Sequence, residues 1–468
     1  MERLALITII LPFVGAFIVG LNKKHFAQIA TVFAALTTLG TLLVAGQWFA
    51  DGHQSVTYDI VAFDKTAIFG VTLDAVSTLI AFAVVALGFL ICLYSCGYLT
   101  DKNREHPHNG LPRFYAFLLI FIGAMAGLVY SSTLAGQLLF FEITGGCSWA
   151  LISYYQTPKA QAAAMKALII THVGAIGLYI AAAYLFSQSG TFSITALEHL
   201  DPSAKTIVLL PMQIWLPNAM EAPTPVSAYL HAASMVKVGV YIFARSVMSA
   251  GDIPHIVGEV GIIMAMITLI YGFLMYLPQT DLKRLLAYST ITQLSYIFIG
   301  ISLAALGSKL AFVAAISYIF NHAFAKSLFF LVAGSLSYAT GTRSMPLLQG
   351  IMRTMPVVGA GFGVAALAIA GVPPFNGFFS KYPLFAAGFE LGHEYGWITW
   401  LMVLALIEST ATFVWLLYKF GQCVIGKPSE AVAKAQPITL SMSVVLVVLM
   451  VMSVCSSFIA AYWLGLAG

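Results

Sequence analysis

The feature that most constrains this chain is a succession of apolar stretches, each long enough to cross a bilayer, with very few charges between them. A membrane-spanning helix needs about 20 apolar residues. Most of the 468 residues fall into such stretches, and only 9% are charged. A soluble globular protein is excluded. The expected architecture is an all-α polytopic membrane protein of about fourteen transmembrane helices, packed as a single membrane domain over 1–468. The stretch Leu4 to Leu21 has one early Arg3 and no small-residue cleavage pattern before Asn22, so it reads as a retained first span. The longest polar stretches, 49–70, 99–112 and 186–205, read as loops.

Three lysines break the apolar pattern. Lys237, Lys326 and Lys381 lie inside segments that otherwise read as spans. An ammonium in lipid is costly, so such a group faces protein or a water path and marks a functional site by default. Glu142, His231, His322 and Glu408 share that setting. Glu142 sits between phenylalanines and glycines in Leu138–Gly146. His322 and Lys326 are spaced i, i+4 and share one helix face. Lys381 follows the break-prone Gly371–Gly377, where water can enter an unwound helix. Glu408 reads equally well as the structural partner of a lysine. Together Glu142, His231, Lys237, His322, Lys326, Lys381 and Glu408 form a candidate proton path. His172 is a weaker candidate, and Asp74 and Lys166 read as interfacial.

The remaining basic residues set the topology. Of 22 lysines and arginines, fourteen collect on one side of the expected bundle, among them Lys102, Arg104, Arg113, Arg284 and Arg343. Five lie on the other: Arg3, Lys65, Lys205, Arg245 and Lys309. The positive-inside rule makes the first side cytoplasmic and places both termini outside the cytoplasm of a bacterial inner membrane. That alternation requires a crossing through 206–220, a run too short for a straight helix across a hydrocarbon core of about 30 Å. The charge pattern therefore implies that residues are lacking before Pro211.

Two segments rich in proline and glycine, Pro211–Pro225 and Gly371–Gly377, fall in the seventh and twelfth spans. Broken helices five spans apart are the mark of inverted repeats. The expected repeats are 113–248 and 257–420, followed by a C-terminal helix at 437–465. The five cysteines show no metal-ligand spacing, and no haem, iron–sulfur, flavin or nucleic-acid-binding pattern is present. No cofactor or metal is expected; the expected surroundings are lipid and other subunits, with protons as cargo.

The motifs Trp215–Tyr241 (WLPNAMEAPTPVSAYLHAASMVKVGVY), Asp281–Ile291 and Asn321–Phe330 (NHAFAKSLFF) resemble the antiporter-like subunits of respiratory complex I and of Mrp cation/proton antiporters. Within that family, Phe141–Tyr155 and Tyr98–His108 are most similar to the subunit-D group of hydrogenase-4. The resemblance implies a fourteen-helix core with inverted five-helix repeats. It implies a Glu on span five (Glu142), a basic group on span eight (Lys237), a Lys on span eleven (Lys326) and a Lys or Glu on span twelve (Lys381). The family also carries a seventh-span lysine in a Gly-Lys-Ser-Ala-Gln element, which this chain lacks; Lys205, read in the preceding loop, is not its match. The implied function is proton translocation in a hydrogenase-4-like or complex-I-like assembly whose partner subunits do the redox chemistry. The alternatives are a non-pumping scaffold for redox subunits, and an antiporter component of Mrp type.

Overall fold

Lipid offers no hydrogen bonds, so a long apolar segment crosses it as a helix that satisfies its own backbone. The computed structural model describes residues 1–64, 66–213 and 223–465. In chain order the helices are α1 (Glu2–Leu21), α2 (Phe26–Ala50), α3 (Ala75–Tyr98), α4 (Pro112–Tyr130), α5 (Leu134–Ile152), α6 (Pro158–Ser189), α7 (Pro202–Leu209), α8 (Thr224–Ala232), α9 (Met235–Ser249), α10 (His255–Tyr276), α11 (Leu282–Ala305), α12 (Lys309–Thr340), α13 (Ile351–Thr354), α14 (Pro356–Ala370), α15 (Asn376–Leu391), α16 (Gly396–Val424), α17 (Glu430–Ala433) and α18 (Leu440–Gly465). Among the described residues, eleven units are long and apolar enough to span, counting α8 and α9 as one. The less apolar α5, the interrupted pair α14–α15 and a crossing between α7 and α8 account for the rest of the expected architecture.

The bundle has an inner and an outer layer. The apolar residues of α12 run all round the helix, so it has no face to give to lipid, and it is the central rod, in contact with α3, α8, α9, α11, α14, α15 and α18. The outward faces of α1, α2, α6, α10, α16 and α18 instead expose large apolar side chains such as Phe17, Leu39, Val173, Ile267, Trp400 and Phe458, as a lipid-facing surface does.

The stretch 49–70 is not wholly a loop. Alternating residues form an antiparallel hairpin, β1 (Val56–Phe63) and β2 (Thr66–Leu73), with Val56 opposite Leu73. It caps one end of the bundle, here called the hairpin end. The opposite, basic end holds Glu105 bridged to Arg343 at 2.8 Å, with Arg343 also 3.6 Å from Asp281. There Arg104 donates to the Lys434 carbonyl. The first residues of α3, the last of α9 and the last of α18 meet at the hairpin end: Arg245 binds Asp74, and Trp463 Nε1 donates to Thr78.

These anchors settle the seventh crossing. Lys205 donates to the Asp252 carbonyl, just past the hairpin-end terminus of α9. Thr224 lies against Tyr98 at the basic end. The chain therefore passes from one end of the bundle to the other between Lys205 and Thr224, in fewer residues than a straight helix needs. The described part of this passage is α7 and a short 3-10 turn at Pro211–Gln213, packed so closely on α6 that a Cβ at Gly177 would overlap the Pro211 carbonyl. The motif residues 214–222 lie outside the described residues. Lys205, expected in a loop, is a buried residue of α7.

Two helix breaks matter for the site. One is the expected break at 371–375, between α14 and α15, where Gly371 takes a left-handed conformation (φ 85°) that a residue with a side chain adopts at a cost. The other, at Ala233–Ser234 between α8 and α9, has no sequence signal, because no proline or glycine marks it. Ser234 compensates locally, its hydroxyl donating to the Tyr229 carbonyl.

Candidate ion-path site

The break at Ser234 places Lys237 in the first turn of α9. Its ammonium donates to the Ile319 carbonyl of α12 at 2.6 Å. His231, one turn before the break, stacks on Phe330 with ring centroids 5.1 Å apart. The i, i+4 spacing on α12 aims His322 and Lys326 along one side of the rod. Lys326 donates to the Ser289 hydroxyl of α11. Both ring nitrogens of His322 are buried without a hydrogen-bond partner among the described residues. His322 is nonetheless within electrostatic reach of Lys237, Lys326, Lys381 and His231.

The second half of the site is built by the break at 371–375. Lys381, on the second turn of α15, donates to Ser409 Oγ at 3.0 Å and to the Ala370 carbonyl at 3.4 Å, across the interrupted segment. Its ammonium also sits 4.9 Å from the centre of the Tyr296 ring, a favourable cation–π placement. Tyr296 in turn donates to Glu408 Oε2 at 2.5 Å, and Thr412 donates to Oε1 at 2.5 Å. Thr412 is itself hydrogen-bonded to Tyr276. Tyr318 donates to Gln293 beside this cluster. Behind Lys381, Ser380, Asn321, Ser456 and Asn376 form a chain of side-chain hydrogen bonds of 2.8–2.9 Å, which ties α12 to α15 and α18.

Six of the seven sequence-identified residues thus converge. His231, Lys237, His322, Lys326, Lys381 and Glu408 are each at most 5% exposed and face protein, not lipid. A buried ion left without a partner is expensive. Among the described residues, Lys237 and Lys326 meet this with neutral oxygens, the Ile319 carbonyl and the Ser289 hydroxyl.

Glu142 stands apart. It is on α5, and its side chain is 29% exposed on the outer face shared with α6. Two α6 residues hold it: Tyr179 donates to Oε1 at 2.7 Å, and His172 Nε2 lies 2.8 Å from Oε2. His172 Nδ1 is 2.9 Å from the Leu168 carbonyl, which can only accept, so Nδ1 carries a proton. One further proton is then shared between Nε2 and Oε2. The pair is either imidazolium with carboxylate or imidazole with carboxylic acid. His172, a weaker candidate on its sequence context, is therefore the partner of Glu142; its signal is a position on the neighbouring helix that spacing alone does not align.

Asp74 and Arg245 also depart from expectation. Asp74 is not interfacial, and Arg245, counted only for the side it lies on, is not a free charge. Both are buried, joined at 2.5 Å, with Asp74 capping α3 through the Ser77 amide. Closeness to a span end suggests an interfacial place for each, but it says nothing about a partner 171 residues away.

Residues 131–412 match the family described as NADH:quinone oxidoreductase/Mrp antiporter, TM. The chain is 37% identical over 398 residues to the Na(+)/H(+) antiporter A-subunit of Alkalihalophilus pseudofirmus, covering 77% of this chain and 48% of that protein. It is 33% identical over 496 residues to NADH-quinone oxidoreductase subunit L of Escherichia coli, covering 98% of this chain and 76% of that one. Its fold matches a chain of the Mrp complex from Dietzia sp. with a TM-score of 0.86 and 28% identity, over 99% of this chain and 51% of that one. A chain of an archaeal membrane-bound sulfane sulfur reductase shares the fold at TM-score 0.85 and 22% identity, over 100% of this chain and 96% of that one. This chain thus spans about half of its Mrp relatives and three quarters of subunit L. It is a multi-pass, antiporter-like membrane subunit, and it belongs to the NADH:quinone oxidoreductase/Mrp antiporter membrane-subunit family.

Proposed function

We propose that this chain moves protons across the membrane as one subunit of a hydrogenase-4-like or complex-I-like assembly, with redox chemistry in partner subunits. The observation that carries this reading is the buried array Lys237–His322–Lys326–Lys381–Glu408, gathered around α12 at two helix breaks. A stabilising core has little use for three ammonium groups that have no carboxylate bonded to them among the described residues, because their desolvation is costly. A relay has use for them. A proton on Lys237 passes by way of His322 to Lys326 and on to Lys381, where Glu408 stabilises the arriving charge through the low-dielectric interior. The Glu142–His172 pair receives the driving charge change from a neighbouring subunit, since it lies on the outer face of the bundle.

The hydrogenase-4 assignment draws support from Phe141–Tyr155 and Tyr98–His108. The repeat units 113–248 and 257–420 draw support from the breaks in the seventh and twelfth spans. The excess of basic residues at one end supports a bacterial plasma membrane with that end cytoplasmic and both termini outside. The similarity to the Na(+)/H(+) antiporter A-subunit favours a second reading, cation/proton exchange with the same residues.

The test is proton uptake by membrane vesicles carrying the assembled complex, read by quenching of a pH-sensitive dye. Lys326→Ala is expected to lower uptake by about ten-fold or more, the low end for a positioned proton-transfer group, with assembly intact on a native gel. Unchanged uptake in a well-assembled variant turns the chain into a scaffold. Dependence of uptake on sodium selects the exchange reading.

A further inference from the structure

Lys237, Tyr241 and Arg245 occupy successive turns on one face of α9, and all three are buried. A small cavity beside Lys237 is lined by Lys237, Tyr241, Ile80, Ala83, Val129 and Ile319. Its volume of about 10 Å³ is at the threshold for one water, about 10–15 Å³. A much larger cavity of about 550 Å³ sits at the hairpin end, with Asp74, Val76, Val247, Met248, Lys309 and Ile316 in its wall. Ser55 and Lys309 are exposed at its mouth.

The two cavities are stacked along the same three helices. Val76 in the outer one and Ile80 in the inner one are a turn apart on α3. Ile316 and Ile319 are a turn apart on α12. A turn of helix rises about 5.4 Å, so little protein separates them. The layer between is where Arg245 Nη1 reaches Asp74 Oδ2. Arginine and carboxylate usually pair through two parallel bonds, but among the described residues this contact is made by Nη1 alone, and the buried Nε of Arg245 has no partner. Such a contact opens by a side-chain rotation rather than by moving a helix.

We propose that this column is a water passage between the hairpin end and Lys237, and that the Asp74–Arg245 pair is its gate. The proposal rests on the proton-conduction reading. With the pair closed, Arg245 blocks the column between the vestibule and Tyr241. When the pair opens, water joins the cavities, and Lys237 exchanges its proton with the hairpin end past Tyr241.

The test measures the reaction rate of silver ion, a thiol-reactive cation small enough for a water-width passage, with Ala83→Cys in the assembled complex, the five native cysteines being replaced by alanine. Ser308→Cys, in the wall of the outer cavity, marks the reagent's arrival at the hairpin end. Ala83→Cys is expected to react at least ten-fold faster in Asp74→Asn/Arg245→Gln than with the pair intact. Equal rates in the two backgrounds, with Ser308→Cys reacting in both, overturn the gate. If the double variant does not assemble, Arg245→Lys replaces it, since its shorter reach loosens the contact with charge retained: a faster rate supports the gate and an unchanged rate overturns it. Vesicle uptake separates this from the parent reading. If Lys326→Ala abolishes uptake while the Ala83→Cys rate ignores the pair, conduction stands and the passage falls. If Lys326→Ala leaves uptake intact, conduction itself falls.

Discussion

Two glutamates within the spans, Glu408 and Glu142, live in opposite settings. Glu408 is enclosed by α10, α11, α15 and α16, with each oxygen taken by a hydroxyl and Lys381 held beside it on Ser409. Glu142 shares a proton with His172 on an outer face, among exposed apolar neighbours such as Leu139, Val173 and Ile176. The first site is complete within this chain. The second lies where an adjoining surface can reach it. The difference teaches that one residue type is enclosed by hydroxyls in one span and left at the surface of the bundle in another.

The largest expected effect breaks the comparison most directly. Lys381→Ala leaves Glu408 without a neighbouring cation and removes a carrier, so vesicle uptake should fall about ten-fold or more. In detergent, a His172→Ala variant whose unfolding loss matches that of a Glu408 variant would erase the distinction between the enclosed acid and the outer one. Next, Glu408→Gln places an amide against two hydroxyl donors. Thermal unfolding in detergent should show a loss of about 1–3 kcal/mol, the cost of mismatching a buried hydrogen-bonded group. A smaller change at Glu408 than at Glu142→Gln would mean that the core acid is not the better enclosed one. The smallest effect is Tyr179→Phe, which deletes one hydrogen bond on an exposed tyrosine. It should cost less than about 1 kcal/mol in the same assay, and a larger loss would show that the outer face is covered within this chain.

The sequence carried the membrane class, the break at 371–375 and the intramembrane residues, because each is a local violation: a lysine among leucines, or prolines in a span. It also carried a crossing after Lys205, which agrees with Lys205 and Thr224 being anchored at opposite ends of the bundle. What it did not carry were relations between distant segments. The Asp74–Arg245 pair joins the first turn of one helix to the last of another, and no periodicity links them. The His172–Glu142 contact depends on the rotation of α6 against α5. The break at Ser234 lacks a local signal, since serine bends helices through its side chain and not through its backbone chemistry. The hairpin at 56–73 reads as loop when only long apolar runs are sought, because its runs, such as Ile60–Phe63, are far too short to cross a bilayer.

Arg343, just beyond the end of α12, is held by Glu105 and Asp281, while Gln436 and the Arg104 amide both grip the Tyr338 carbonyl one turn before. The rod bearing His322 and Lys326 is pinned at that end from three separate directions. A piston stroke along its axis would have to tear all of these moorings at once. Under the proposed conduction, the central shaft would stay at rest and the protons would move between stationary groups.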